Sequence, residues 1–193
     1  MALSLQKGQQ ISLAKTSGTT LTTVRMGVGW EGIKKRSFLG FGGGREAVDL
    51  DANALLFDAR GTLVDQVWFR QLQSKDGTVR HSGDNRTGDG DGDDETITIH
   101  LSRLPQNVTT VILSVNNYTG QSFNSIETAY CRLINEQGEK ELARYELAGQ
   151  GSHNGLIMAS LKREGGDWNF KAIGAPCVGK TYHDNLPDIR AHL

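Results

Sequence analysis

Ala47-Val48-Asp49-Leu50-Asp51-Ala52-Asn53-Ala54-Leu55-Leu56-Phe57-Asp58-Ala59 is the stretch from which the fold can be read. Val48, Leu50, Ala52, Ala54 and Leu56 recur at spacing two, the repeat of a strand with one buried face. Asp49 and Asp51 fall on the opposite face. Arg60-Gly61 then makes a turn, and residues 63–72 return as a second strand through Val64, Val67, Trp68 and Phe69.

The same pattern extends both ways. Towards the N-terminus, Leu3, Leu5, Ile11 and Leu13 alternate with polar residues around Lys7-Gly8, which predicts two short strands. Val24, Met26 and Val28 share one face of a third strand, closed by Trp30-Glu31. Residues 33–46, with Lys34, Lys35, Arg36 and Phe41-Gly42-Gly43-Gly44, read as a long mobile loop with a solvated basic face.

Towards the C-terminus, Asp76-Gly77 marks a tight turn. Further β runs follow at 96–101, 108–115, 126–135, 142–147, 155–162 and 168–173, punctuated by Pro105, Gly138 and Gly165-Gly166. A short helix is predicted near 186–192, with Pro187 in its first turn. Many short strands with almost no helical periodicity predict an all-β fold. Its form is a two-sheet antiparallel β-sandwich with long loops and a short C-terminal helix, spanning residues 1–193 as one domain.

Between two of these strands lies Gly83-Asp84-Asn85-Arg86-Thr87-Gly88-Asp89-Gly90-Asp91-Gly92-Asp93-Asp94-Glu95. Its six acidic residues face a single cation, Arg86, giving a local charge of −5. Carboxylates this close disfavour one another's ionisation. Such a loop is either ordered around a cation or left solvated and disordered. Gly88, Gly90 and Gly92 let the backbone curl so that oxygens converge, and many hard oxygens on a turning backbone suit Ca²⁺ better than Mg²⁺ or Zn²⁺. Asp49, Asp51 and Asp58 could complete the coordination if their strand runs beside the loop.

The spacing is not that of an EF-hand. Counting from Asp84 puts Arg86 at position 3 and Asp89 at position 6, where glycine is required. Counting from Asp89 puts Asp94 at position 6 and His100 at position 12. A nonapeptide calcium array needs repeats, and the chain has none.

The overall charge of −1 leaves +4 on the rest of the chain, with no dense basic stripe for nucleic acid. Cys131 and Cys177 are too few for a disulfide framework. No signal peptide or membrane-length apolar run is read, so a cytoplasmic location is expected. The five histidines show no metal-binding pair, and His81 beside Ser82 is expected at the surface. Trp30, Trp68 and Trp168 are expected in the core. Gly174-Ala175-Pro176-Cys177-Val178-Gly179-Lys180-Thr181 matches a P-loop letter for letter, yet neither the parallel sheet nor the long helix that such a loop serves can be read around it.

The acidic motif, preceded by Gly29-Trp30 and Ser74-Lys75-Asp76-Gly77, resembles the signature of the TerD family of bacterial tellurium-resistance and stress proteins. The likeness runs from Leu5-Gln6-Lys7-Gly8 through Glu141-Leu142-Ala143-Arg144-Tyr145 to Trp168-Asn169-Phe170-Lys171-Ala172-Ile173-Gly174, nearly the whole chain. It implies a β-sandwich binding two Ca²⁺ ions. The ligands would come from Asp49, Asp51, Asp84, Asn85, Thr87, Asp89, Asp91, Asp93, Asp94 and Glu95. Many relatives carry Gly-Trp-Asp where this chain has Trp30-Glu31, so no ligand role is assigned to Glu31. The implied setting is a cytoplasmic response to tellurite, phage and colicins, without catalysis. The implied partners are other proteins of the same resistance system, in an assembly near the inner membrane. The alternative is a metal-dependent hydrolase of phosphoesterase type using the same carboxylates, with His81 or Glu127 as acid or base.

Overall fold

A computed structural model describes residues 10–12, 21–34, 45–149 and 151–193. The strands are β1 (Gln10–Ser12), β2 (Val24–Trp30), β3 (Ile33–Lys34), β4 (Arg45–Glu46), β5 (Leu50–Phe57), β6 (Leu63–Val67) and β7 (Val79–His81). They continue as β8 (Glu95–Ile99), β9 (Thr110–Asn117), β10 (Ala129–Asn135), β11 (Lys140–Glu146), β12 (Gly155–Glu164) and β13 (Asp167–Cys177), and one helix follows, α1 (Leu186–Arg190). A six-stranded sheet in the order β1-β13-β12-β9-β5-β6 packs on a five-stranded sheet in the order β11-β10-β2-β8-β7. Every strand pair is antiparallel. The predicted two-sheet sandwich with a short C-terminal helix is the observed architecture.

The spacing-two pattern decides how the sheets meet. Leu50, Ala52, Ala54 and Leu56 point into the main core with Val111, Leu113 and Val115 from β9 and Met26, Val28, Ile97 and Ile99 from the facing sheet. Leu55 and Phe57, on the other face of β5, join Ile112, Ile157, Ile173 and Trp68 in a second core roofed by Tyr182 and Ile189. Both faces of β5 are therefore covered, and this explains its near-continuous apolar run. The three tryptophans are buried as expected; Trp30 Nε1 donates to Val48 O at 2.7 Å and Trp168 Nε1 to Leu101 O at 3.2 Å.

Some boundaries differ from the sequence reading. The strand predicted over 63–72 stops at Val67, because Trp68 and Gln71 fold back on each other through paired backbone bonds. The last strand runs on to Cys177, past Gly174, whose φ of +60° gives the local break in register with β12. The ends of the predicted 33–46 loop pair as a ribbon, Ile33 with Glu46 and Lys34 with Arg45. Residues 35–44, with Lys35, Arg36 and the glycine run, and the strand positions Leu3, Leu5 and Leu13 lie outside the described residues.

The C-terminal segment is fastened to the outer face of the large sheet by asparagines. Asn53 Nδ2 donates to Asn116 Oδ1 at 3.2 Å, Asn116 Nδ2 to Gly179 O at 2.9 Å, and Gly179 N to Asn154 Oδ1 at 3.0 Å. Gly155 makes room for this join. A Cβ there would stand 2.8 Å from Cys177 Sγ, 3.1 Å from Asn116 Nδ2 and 3.2 Å from Asn185 Nδ2. Gly155→Ala is expected to lower stability by about 1–3 kcal/mol, the usual cost of overpacking, read as an earlier urea midpoint. An unchanged midpoint would show that the segment does not pack on Gly155.

Candidate metal centre

Antiparallel pairing with β9 occupies the backbone of β5 on one side along its length, but β6 pairs with the other side only from Ala54 to Phe57. At the Leu50 end that second edge is bare of a strand. Glu95, the first residue of β8, shares a face with Ile97 and Ile99, so its carboxylate enters between the sheets. Its Oε2 accepts Ala52 N at 2.9 Å, replacing the missing strand, and its Oε1 accepts Asn85 N at 3.1 Å.

His81 Nε2 stands 3.2 Å from Glu95 Oε2, and His81 Nδ1 accepts Gly83 N at 3.0 Å, which puts the ring proton on Nε2. The expectation of a surface histidine is corrected here. The side chain is buried because the short strand β7 places residue 81 on the inner face with Val79.

The loop from Ser82 to Asp94 is tied at its base. Ser82 N donates to Thr96 O and Thr96 N to Ser82 Oγ, each at 2.9 Å. From it Asp84 meets Asp49 and Asp51, with ligand oxygens of all three within 4.8 Å of one another. Asp51 is held by pairing with Asn116. The backbone of Asp49 is held by Tyr118 N, at 2.8 Å from its carbonyl, and by Thr119 Oγ1, which accepts its N–H at 3.3 Å.

Two buried oxygens here, Asp49 Oδ1 and Asp51 Oδ2, have no hydrogen-bond partner among the described residues. Burial first, then the charges of Glu95, Asp49 and Asp84, push the Asp51 carboxyl up to about 9. Burial, then Asp84 and Glu95, push Asp49 up to about 6, with Arg86 opposing weakly. Buried polar atoms are nearly always satisfied. Converging hard oxygens without partners fit a hard cation such as Ca²⁺, which would supply the missing positive charge.

The other acidic-loop residues take different places. Asp93 turns away: Arg132 Nε and Nη2 donate to its two oxygens at 2.8 and 3.0 Å, and Tyr130 Oη donates at 3.1 Å. A Cβ on Gly27 would collide with this carboxylate, so Gly27 in β2 is what admits it. Asp94 Oδ2 accepts Trp30 N at 2.8 Å and Oδ1 accepts Asn85 Nδ2 at 3.3 Å; burial raises its carboxyl. Asn85 Oδ1 accepts Thr87 N and Gly88 N, a local turn that lays Gly88 against the Trp30 ring. Asp89, Asp91 and Thr87 are exposed. Asp58 Oδ1 accepts Arg60 N and Thr62 N, so it caps the β5–β6 turn.

Arg132, Tyr130 and His81 hold the loop, and sequence reasoning missed all three in this role. A signal existed for two of them: Tyr130 and Arg132 alternate with Cys131 and Leu133 along β10 and so share its polar face.

The P-loop match is no nucleotide site. Its sheet is antiparallel. Lys180 N and Thr181 N donate to Asp184 Oδ2 at 2.9 and 3.0 Å, so a carboxylate already sits on amides that a phosphate would need.

The sequence profile of the TerD domain matches residues 1–189. The chain is 49% identical to tellurium resistance protein TerZ of Serratia marcescens, over 97% of this chain and 96% of that one. The TerZ member is also the one to which the length and the Val67-Trp68-Phe69 segment point. Identity is 37% to General stress protein 16U of Bacillus subtilis, over 93% of each chain. In the crystal structure of a TerD homologue from Streptomyces coelicolor the same fold recurs, with a TM-score of 0.71 at 24% identity, covering 84% of this chain and 94% of that one. The chain belongs to the TerD family of tellurium-resistance and stress proteins.

Proposed function

We propose that this protein is a Ca²⁺-binding stress protein in which metal binding orders the 82–94 loop and so completes a surface for a partner. The observation that carries the reading is the pair of buried, unpartnered carboxylate oxygens on Asp49 and Asp51 facing Asp84. Asp49, Asp51 and Asp84 would hold one ion, with Glu95 adding negative potential behind them. For the second ion that the family resemblance implies, Asp89, Asp91 and Asp94 would supply oxygens. Asn85 and Thr87 shape the loop, and Asp93 anchors it to β10.

Binding rather than hydrolysis is favoured because His81, the candidate base, is buried and its Nδ1 already accepts Gly83 N. Direct thiol chemistry with tellurite is disfavoured too: burial pushes Cys131 far up and Cys177 up to about 12, so neither is a ready thiolate. The relatives named for tellurium resistance and general stress support a role in that response. A cytoplasmic setting and partners from the same resistance system belong to this proposal. No helix among the described residues is long and apolar enough to cross a membrane.

Calorimetric titration with Ca²⁺ is expected to show saturable binding, weakened at least tenfold by Asp51→Asn. Because the folded state alone would bind, stability should rise by about 2.7 kcal/mol per site at a hundred times the dissociation constant. Coincident melts in Ca²⁺ and chelator would refute the reading.

The pH dependence has a definite sign. Asp49 and Asp51 have folded values above the unfolded value of 3.8, so without metal the fold binds more protons than the unfolded chain. Metal-free stability is expected to fall as pH rises from about 4 through 6 and towards 9. Asp51→Asn should flatten that decline in urea titrations run in chelator, and saturating Ca²⁺ should flatten it in the parent chain. Arg132→Ala should speed amide exchange across residues 82–94 and weaken Ca²⁺ binding, although Arg132 touches none of the three clustered carboxylates.

A further inference from the structure

The outer strands of the two sheets are guarded unequally. β7 is covered by the segment before it, where His81 N donates to Leu72 O at 2.8 Å and Ser74 N to Val79 O at 3.0 Å. β6 turns a buried carboxylate, Asp65, inward opposite Leu56, a device that blocks strand addition. β11, the other edge of the five-stranded sheet, has neither protection along its second half.

The hydrogen-bonding phase of that edge can be read from its inner side. Leu147 N donates to Ala129 O at 2.8 Å, and Tyr145 and Ala143 lie opposite Cys131 and Leu133 on the same ladder. Antiparallel ladders alternate bonded and non-bonded pairs. Ala143, Tyr145 and Leu147 therefore turn their backbone polar groups to β10, and Arg144 and Glu146 turn theirs to the open edge. Among the described residues nothing pairs with those outward groups. A bulge at Leu142 bounds the regular run, because Leu133 pairs with Ala143 but Ile134 with Glu141.

The side chains of residues 143–147 select what can add to this edge. In a pair of identical strands, a two-fold axis normal to the sheet keeps every residue on its own face. Centred on Arg144, that axis sets two guanidinium groups against each other; centred on Glu146, two carboxylates. Centred on Tyr145, Arg144 of each copy faces Glu146 of the other on the outer face. Ala143 then faces Leu147 on the inner face, apolar against apolar. Opposite charges directly across a ladder stabilise it and like charges destabilise it. In the Tyr145 register the bonded pairs are Arg144 with Glu146, so the outward backbone groups satisfy one another. Both charged side chains reach the surface, 35% and 60% exposed, where a second copy can share them.

We propose that two copies of this chain associate by antiparallel pairing of residues 143–147 about a two-fold axis at Tyr145. Their five-stranded sheets then continue into each other. The paired run is short, so the association is weak and depends on concentration. It uses the edge of the sheet away from β7 and needs no metal.

The test is sedimentation equilibrium of the full chain in chelator, which keeps its outcome separate from that of calcium binding. The parent is expected to show a monomer–dimer equilibrium. Glu146→Arg sets arginine against arginine twice, and Arg144→Glu sets glutamate against glutamate twice, so each should weaken the dimer about tenfold or more. An equal mixture of the two variants restores opposite charges at both positions and should dimerise about as tightly as the parent. In the parent, the Arg144 and Glu146 amides should exchange more slowly as concentration rises. A parent that stays monomeric would overturn the proposal, as would exchange at those amides that ignores concentration. A dimer that survives Glu146→Arg, or folded variants that do not associate when mixed, would overturn it equally.

Discussion

Burying Asp49 and Asp51 beside Glu95 and Asp84 is the constraint to which one end of this sandwich answers. Left alone, each carboxylate raises its neighbour's proton affinity, and among the described residues Arg86 is the cation that opposes this at Asp49. Around the cluster, the surrounding structure is rigid where it could have relaxed. Glu95 is held by two backbone amides and faced by His81, Asp51 by its place opposite Asn116 in the sheet, and Asp49 by the Tyr118–Thr119 turn. Repulsion maintained by so many independent bonds is the preorganisation that a site for positive charge would require.

The loop that brings Asp84 obeys the same logic through separation of roles. Acidic residues that look equivalent in the sequence are sorted by their partners: Asp93 to Arg132, Asp94 to the Trp30 amide, Asp84 to the cluster, Asp89 and Asp91 to solvent. Close backbone approach makes the sorting possible. Gly27 admits the Asp93 carboxylate and Gly88 admits the Trp30 ring, each where a methyl group would collide.

Much of this was legible before the structure. Alternation in 47–59 placed Asp49 and Asp51 on one face of a strand, and interleaved glycines marked the loop as curled. What could not be read was the direction of individual loop side chains, because it is set by residues far along the chain. Asp93 was expected among the metal ligands, yet Arg132, 39 positions away, claims it. Asp58 was weighed as a ligand because it extends the run of Asp49 and Asp51. The turn after β5 needs its carboxylate for two amides, a local demand that outcompetes the distant site. His81 looked like a surface residue because β7 is only three residues long, too short for alternation to show.

The shortness of β6 has a consequence beyond metal chemistry. A bare strand edge invites another chain to add itself, and Leu50–Phe57 is as strongly β-forming as any segment here. The protein closes that edge with a carboxylate in place of a second partner strand, and surrounds it with negative charge. An incoming strand would have to displace Glu95 from the Ala52 amide and approach through the acidic loop. The charges that would attract a cation also oppose an incoming copy of the strand, so that one group of side chains bears on both edge pairing and the candidate metal centre.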